Sequence, residues 1–319
     1  MSKKKSVLLI AGNGTLGAYV TEELLKMGCT VDILCRSPLT SDKEGLTYFQ
    51  GAATYEFLCE FLKDRRYDGI ANFLHYKGFD YFKKIHDLLN KKCKQVVFIS
   101  SYRVYADLEH PIKESSPRLY DTVDDKDFLE NEDYAVPKSQ QENYLMKKCW
   151  FQKWTIVRPV ISFSKKRLDL LMHSGLSVLN AAKAGTPIYL PESCKNHRAG
   201  LDWAGNSGKL IARLFFNPRA YHKVFTIYSG HDMTWGQVAE AYARTTGVEI
   251  RYCSDNEYES RTPATQTTPW AWKYDRKFDR SIDPSRVLKA TGLKKEDFAT
   301  VEEGILHELE LLGFKNKTS

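Results

Sequence analysis

Through the first 160 residues, short apolar runs alternate with stretches whose apolar positions recur every three or four residues. Val7-Leu8-Leu9-Ile10 sits in a run at 6–11 that reads as a buried strand. The segment from Thr15 to Met27 reads as a helix stopped by Gly28. The same alternation predicts strands at 30–35, 46–50, 69–74, 95–100 and 154–160, and helices at 54–64, at 79–92 and across Tyr144. Continuous apolar strands separated by amphipathic helices imply a parallel sheet covered on both faces, because each parallel crossover lays a helix on the sheet. The expected fold class is α/β, a doubly wound parallel sheet of the Rossmann kind.

After Pro159 the alternation loosens. A loop and helix followed by a short strand fit 164–200, a helix fits 202–216, and strands fit 223–228 and 248–253. Helices at 234–247, 284–292 and 299–312 complete the pattern, the first ending in Gly247. The expected division is a nucleotide-binding domain at 1–160, whose sheet can take in later strands, and a smaller substrate lobe at 161–319.

Composition changes this picture little. The 319 residues are 42% hydrophobic and 27% charged, enough apolar content for a large core. A net charge of +7 suits an anionic ligand such as a nucleotide. No single stretch is basic enough to mark a nucleic-acid binder, so a nucleic-acid partner is not expected. Seven scattered cysteines without a C-x-x-C spacing, and histidines without ligand spacing, imply a reducing compartment and no metal site. No apolar run reaches the length of a membrane span, and the run at 6–11 is too short for a signal peptide. A cytoplasmic protein without a membrane partner is the expectation.

The chemistry begins at the first turn. Gly12-Asn13-Gly14-Thr15-Leu16-Gly17 fits G-x-G-x-x-G between a predicted strand and a predicted helix, the context in which glycines admit a pyrophosphate to a helix N-terminus. At the end of the second strand, where a carboxylate would hold the ribose 2′-hydroxyl of NAD, the chain has Arg36-Ser37. Asp32 falls too early in that strand. A guanidinium there suits a 2′-phosphate, so NADP(H) is the expected cofactor, with NAD(H) as the second choice.

Two tyrosines each stand four residues before a lysine: Tyr134 with Lys138, and Tyr144 with Lys148. A free tyrosine titrates near 10, too high for a base at neutral pH, and a lysine one helical turn away favours the phenolate. The second pair lies about 15 Å further along the helix, away from the strand tips, and reads as a helix face. Ser100-Ser101 ends the fifth strand on the side of the glycine loop.

With the glycine loop, Ser-Ser-x-x-Val-Tyr at 100–105, Tyr134-x-x-x-Lys138 and Ile-Val-Arg-Pro at 156–159 in this order, the chain resembles an extended short-chain dehydrogenase/reductase of the NAD-dependent epimerase/dehydratase family. Asp283-Pro-Ser-Arg-Val-Leu is similar to a late element of that family. The resemblance implies Ser101, Tyr134 and Lys138 as the catalytic trio, with Lys138 also on the nicotinamide ribose. It implies a nucleotide sugar or sugar phosphate as substrate, and Arg198 as a ligand of the substrate phosphate. Dimers built on the helices flanking the sheet, including the Tyr144 face, are a further implication.

Three departures from the family pattern stand out. Ala11 replaces the first loop glycine, implying a tighter turn; Ala52 replaces an adenine-contacting Asp; and Pro137 interrupts the tyrosine motif. Tyr102-Arg103 stands where the family's dehydratases carry Asp-Glu, which argues against dehydration and leaves epimerisation or keto reduction. The aromatic and charged stretch at 267–280 could wall the pocket, though its Trp270 and Trp272 fit lobe packing better than substrate stacking, and His75 fits a structural role. Two rivals remain: an RNA-binding protein on the same fold, since 66–105 also resembles the branch of chloroplast stem-loop RNA-binding proteins, and a regulator that binds NADP(H) without turnover.

Overall fold

The computed structural model describes residues 3–76, 78–132, 134–165 and 167–314. The chain forms strands β1 (Ser6–Ile10), β2 (Thr30–Cys35), β3 (Leu46–Gln50), β4 (Tyr67–Asn72), β5 (Cys93–Ile99), β6 (Trp154–Pro159), β7 (Ile161–Phe163), β8 (Ile188–Pro191), β9 (Leu201–Trp203), β10 (Lys223–Ile227) and β11 (Ile250–Cys253). Seven of them make one parallel sheet in the order β3-β2-β1-β4-β5-β6-β10. Val7 to Ile10 are completely buried, as strands covered on both faces require. The strand order reverses between β1 and β4, and ligands of such sheets bind beyond the carboxyl ends of the strands at that point.

The helices that cover the sheet and position the site are α1 (Thr15–Lys26), α2 (Tyr55–Phe61), α3 (Phe79–Lys92), two short ones, α4 (Leu119–Thr122) and α5 (Lys126–Asn131), and then α6 (Ala135–Lys148). The helix stop expected at Gly28 is present, with φ at +78°.

Residues 161–319 do not form a separate body, because β10 returns to the main sheet beside β6. After α7 (Gly175–Ala184), the helix α8 (Ala204–Leu214) packs against α1. Gly208 permits that approach: a Cβ there would lie 2.7 Å from the Tyr19 carbonyl carbon. The remaining strands form two small parallel pairs, β7 with β9 and β8 with β11. A second core, with Trp235, Tyr242 and Tyr258 in it, takes in Tyr102 and Tyr105 from the segment after β5. The tip of β5 is thus where the sheet joins the second core.

Candidate active site

The loop from β1 to α1 is built by close packing. A Cβ on Gly17 would sit 2.5 Å from the Gly12 carbonyl oxygen, and one on Gly12 would sit 2.6 Å from the Leu9 Cβ. Neither position has room for a side chain, so the α1 N-terminus lies directly against the strand tip. Ala11 adopts φ of +56°, and its N–H donates to the Leu34 carbonyl at 2.7 Å. The turn expected at this alanine is therefore made in the left-handed region, which glycine occupies without strain.

Two cavities open along the carboxyl edge of the sheet, one lined by this loop and the other by the first residues of α1. One, of about 470 Å³, is bounded by Ala11 and Asn13, by Arg36 and Ser37 after β2, and by Gly51 to Thr54 after β3. Arg36 is exposed, and its guanidinium has no ion pair among the described residues. Asp32 is turned elsewhere, accepting a 2.7 Å hydrogen bond from the Tyr67 hydroxyl.

The other cavity, of about 290 Å³, is bounded by Thr15 and Leu16, by Ser101 and Arg103, by Tyr134, and by Pro159 to Ser162. Ser101 and Tyr134 therefore face one space, with the α1 N-terminus beside it. Tyr134 stands at the N-cap of α6, in a non-helical conformation, and Pro137 lies in the first turn, where its missing N–H costs nothing. The Glu132 carboxylate accepts hydrogen bonds from the Tyr134 and Val136 N–H groups, both at 2.9 Å, so it fixes the entry to the helix.

Lys138 sits one turn behind Tyr134, 4% exposed, and its Nζ donates to the Ile99 carbonyl at 2.7 Å. Burial lowers its pKa from the usual lysine range to about 8, against the opposing pull of Glu142. It supports the tip of β5 from beneath and does not bound the cavity. Glu142 is itself fully buried. Burial raises its pKa, but the Arg158 guanidinium at 2.7 Å, the Ser100 hydroxyl at 2.6 Å and Arg118 outweigh that and hold it low. This ion cluster anchors the middle of α6 to β5 and β6.

Three arginines reach the second cavity: Arg103, Arg167 and Arg276. Carboxylates stand behind them. Asp275 lies 3.6 Å from Arg103 and 2.5 Å from Arg276, and Asp169 lies 2.7 Å from Arg167. Burial works to raise the Asp275 carboxyl, but Arg276, Arg103 and Arg280 keep it below the ordinary range. Sequence reasoning did not single these arginines out. Arg103 was within reach, two residues from Ser101, whereas Arg167 and Arg276 come from distant segments that only the fold brings here.

Arg198 is placed elsewhere. Its guanidinium pairs with Asp232 at 3.3 Å, its backbone N–H donates to Asp279, and it does not bound the cavity that holds Ser101 and Tyr134. Trp272 is 5% exposed and donates to Glu259, while Trp270 packs edge-on to Phe128, so both tryptophans serve packing. Tyr144 is likewise engaged: its hydroxyl donates to Asp87 at 2.5 Å between α3 and α6. The His75 ring lies 5.0 Å from the Tyr134 ring.

No family model and no curated protein sequence matches the chain. The fold, however, is shared over nearly its whole length with solved structures. Pal from Bacillus thuringiensis superimposes with a TM-score of 0.71 at 14% identity, over 97% of this chain and 99% of that one. UDP-glucose 4-epimerase from Thermus thermophilus, solved with NAD, gives 0.67 at 17% identity, over 96% and 98%. The Bordetella bronchiseptica enzyme WbmG, solved with NAD and UDP, gives 0.70 at 16% identity, over 98% and 97%. The chain thus shares its fold with these solved structures over nearly its whole length.

Proposed function

We propose that the protein is a nicotinamide-dinucleotide-dependent oxidoreductase or epimerase acting on a hydroxyl or keto carbon of a nucleotide sugar. The observation that carries this reading is the position of the β1–α1 loop and the α1 N-terminus between the two cavities, the loop lining one and Thr15 and Leu16 the other. A dinucleotide with its pyrophosphate on the α1 N-terminus would extend one way toward Arg36 and the other way toward Ser101 and Tyr134. The loop fits such a group, since Gly12 and Gly17 leave the backbone bare where side chains would stand.

A nicotinamide held there would supply or take up the hydride. Tyr134 moves the accompanying proton to or from the substrate oxygen, and Ser101 hydrogen-bonds that oxygen. Lys138 supports the tip of β5 and adds positive charge behind Tyr134. A diphosphate-bearing substrate suits Arg103 and Arg167, which bound the cavity, while Arg276, held by the Leu171 carbonyl, Tyr102, Asp275 and Asp169, fixes that wall. Arg36 supports NADP(H); NAD, present in the Thermus and Bordetella structures of the same fold, is the competing cofactor.

The test is to release and identify any nucleotide that co-purifies, then titrate the emptied protein with NADPH and NADH. Retained NAD would support an epimerase that recycles its hydride and would overturn the reading of Arg36. Preference for NADPH in an emptied site would support a reductase. Binding of neither would sink the proposal.

A further inference from the structure

The edge of the sheet opposite the cavities gathers most of the excess positive charge. The segments that enter the five adjacent strands β10, β6, β5, β4 and β1 are residues 219–223, 147–153, 91–94, 63–66 and 3–5. They contain fourteen Lys or Arg and a single acid, Asp64, out of 47 and 40 in the chain. The remainder therefore carries 33 basic residues against 39 acidic ones. All fourteen are exposed except Lys92, which is half-buried. Strands stand about 4.8 Å apart, so these segments form a row roughly 20 Å long. Two acids bear on it: Asp68, which pairs with Lys94 at 2.8 Å, and Glu44 at the β3 end, which pairs with Lys4. Lys91, Lys147 and Lys148 have no ion pair among the described residues.

Lysines in the last turns of α3 and α6 are explained in part by the negative ends of the helix dipoles. That explanation does not extend to Trp150 and Phe151. On the turn between α6 and β6, next to the β10 end of the row, these two rings are 74% and 67% exposed and pack edge-on to each other at 5.9 Å. Adjacent bulky aromatics left in water on a basic rim are costly unless something covers them. Beside Phe151 a cleft of about 290 Å³ opens between Lys94 and Lys153, and Asn90, which helps bound it, has its amide donor Nδ2 buried without a hydrogen-bond partner.

We propose that this edge is a docking surface for an anionic phospholipid bilayer. Trp150 and Phe151 enter the headgroup layer, the cleft accepts a phosphate headgroup, and the lysine row meets the surrounding negative surface. The cations around the aromatic turn are all lysines, point charges suited to a diffuse anionic surface. The arginines of the row are partly engaged, Arg65 on the Phe61 carbonyl and Arg66 on those of Lys63 and Arg65, which leaves few forks for the bidentate phosphate contacts of nucleic-acid recognition. Among the described residues no helix is long and apolar enough to cross a membrane, so the contact would be peripheral. The two cavities would then face away from the bilayer, open to soluble ligands.

The test is co-sedimentation of the full chain with vesicles of phosphatidylcholine alone and of phosphatidylcholine mixed with phosphatidylglycerol. Binding is expected only to the mixed vesicles, weakened by salt. It should fall by roughly tenfold or more in Trp150→Ala/Phe151→Ala and again in Lys147→Glu/Lys148→Glu, with unchanged circular dichroism. Equal sedimentation with and without phosphatidylglycerol, no sedimentation with either, or full retention by the aromatic double variant would overturn the proposal. So would displacement from mixed vesicles by a single-stranded oligonucleotide that binds more tightly, which would make the same edge a nucleic-acid surface.

Discussion

The guanidinium of Arg103 lies over the ring of Tyr134, 5.0 Å from its centre. The same guanidinium reaches Glu132 at 3.4 Å, and Glu132 holds the Tyr134 N–H. Arg103 thus acts on the tyrosine through its ring and through its backbone. Replacing it with leucine removes the cation and loosens the carboxylate that fixes Tyr134. The expected result is a fall in kcat of about tenfold, from a contact worth roughly 1 kcal/mol or more. Arg103→Lys should restore part of the loss by keeping the charge. Steady-state kinetics with unchanged thermal stability would check it; an unaltered kcat in the leucine variant would remove Arg103 from the site.

Lys138 makes a prediction that depends on pH. Its pKa is about 8 in the folded protein because of burial, below the value near 10.4 of an exposed lysine. Between those values the unfolded chain binds more protons than the folded one, so this group's contribution to stability rises with pH across that window. Below pH 8 the folded state bears the full cost of a buried ammonium. Lys138→Met should therefore be more stable than the parent at pH 7, by up to roughly 3 kcal/mol, and the difference should shrink as pH approaches 10. Catalysis should be lost in the same variant. Urea denaturation of both proteins at the two pH values measures this, and a difference that stays constant with pH would contradict it.

Ala11 occupies a backbone conformation that costs an L-residue about 1 kcal/mol or more. Ala11→Gly relieves the strain, although the glycine gives the unfolded chain more freedom. The net expectation is a gain in stability of about 0.5–1 kcal/mol, seen as a higher thermal midpoint, with dinucleotide affinity unchanged. A loss of stability would show that the methyl group contributes packing that outweighs the strain.

How far the molecule was legible in its sequence depended on how local the signal was. The strands from β1 to β6 and the helices α1, α3 and α6 follow from apolar runs and glycine stops within a few residues, and the structure places them close to where the pattern does. Ser101 and Tyr134 fall on one cavity because parallel strands all present their carboxyl ends to the same side. Arg167 was not legible, and Arg276 only as part of the stretch at 267–280, because what brings them there is a tertiary arrangement: Arg276 donates to the Leu171 carbonyl and pairs with Asp169, joining segments far apart in the chain. Arg198 shows the converse. Its position in the chain suited a phosphate ligand, yet Asp232 and Asp279 hold it away from the cavity. The basic edge was invisible for a similar reason, since its five segments are short, separate and adjacent only in the sheet.

The two tyrosine–lysine pairs can be told apart by one comparison. Tyr134 faces the cavity at the start of α6, whereas the Tyr144 hydroxyl donates to Asp87 and its ring packs on Phe82 and His86. The Tyr144 hydroxyl is pushed well above the ordinary tyrosine range by burial and by Asp87, so it keeps its proton at any working pH. Tyr144→Phe should cost about 1.5–3 kcal/mol of stability, the net worth of one hydrogen bond to a charged group, and leave kcat within a factor of two. Tyr134→Phe should leave stability nearly unchanged and lower kcat by roughly a hundredfold or more, the loss of a general acid–base group. Kinetics and melting curves of both variants decide the matter. If the larger kinetic loss falls on Tyr144, the cavity between Ser101 and Tyr134 is not where the reaction occurs.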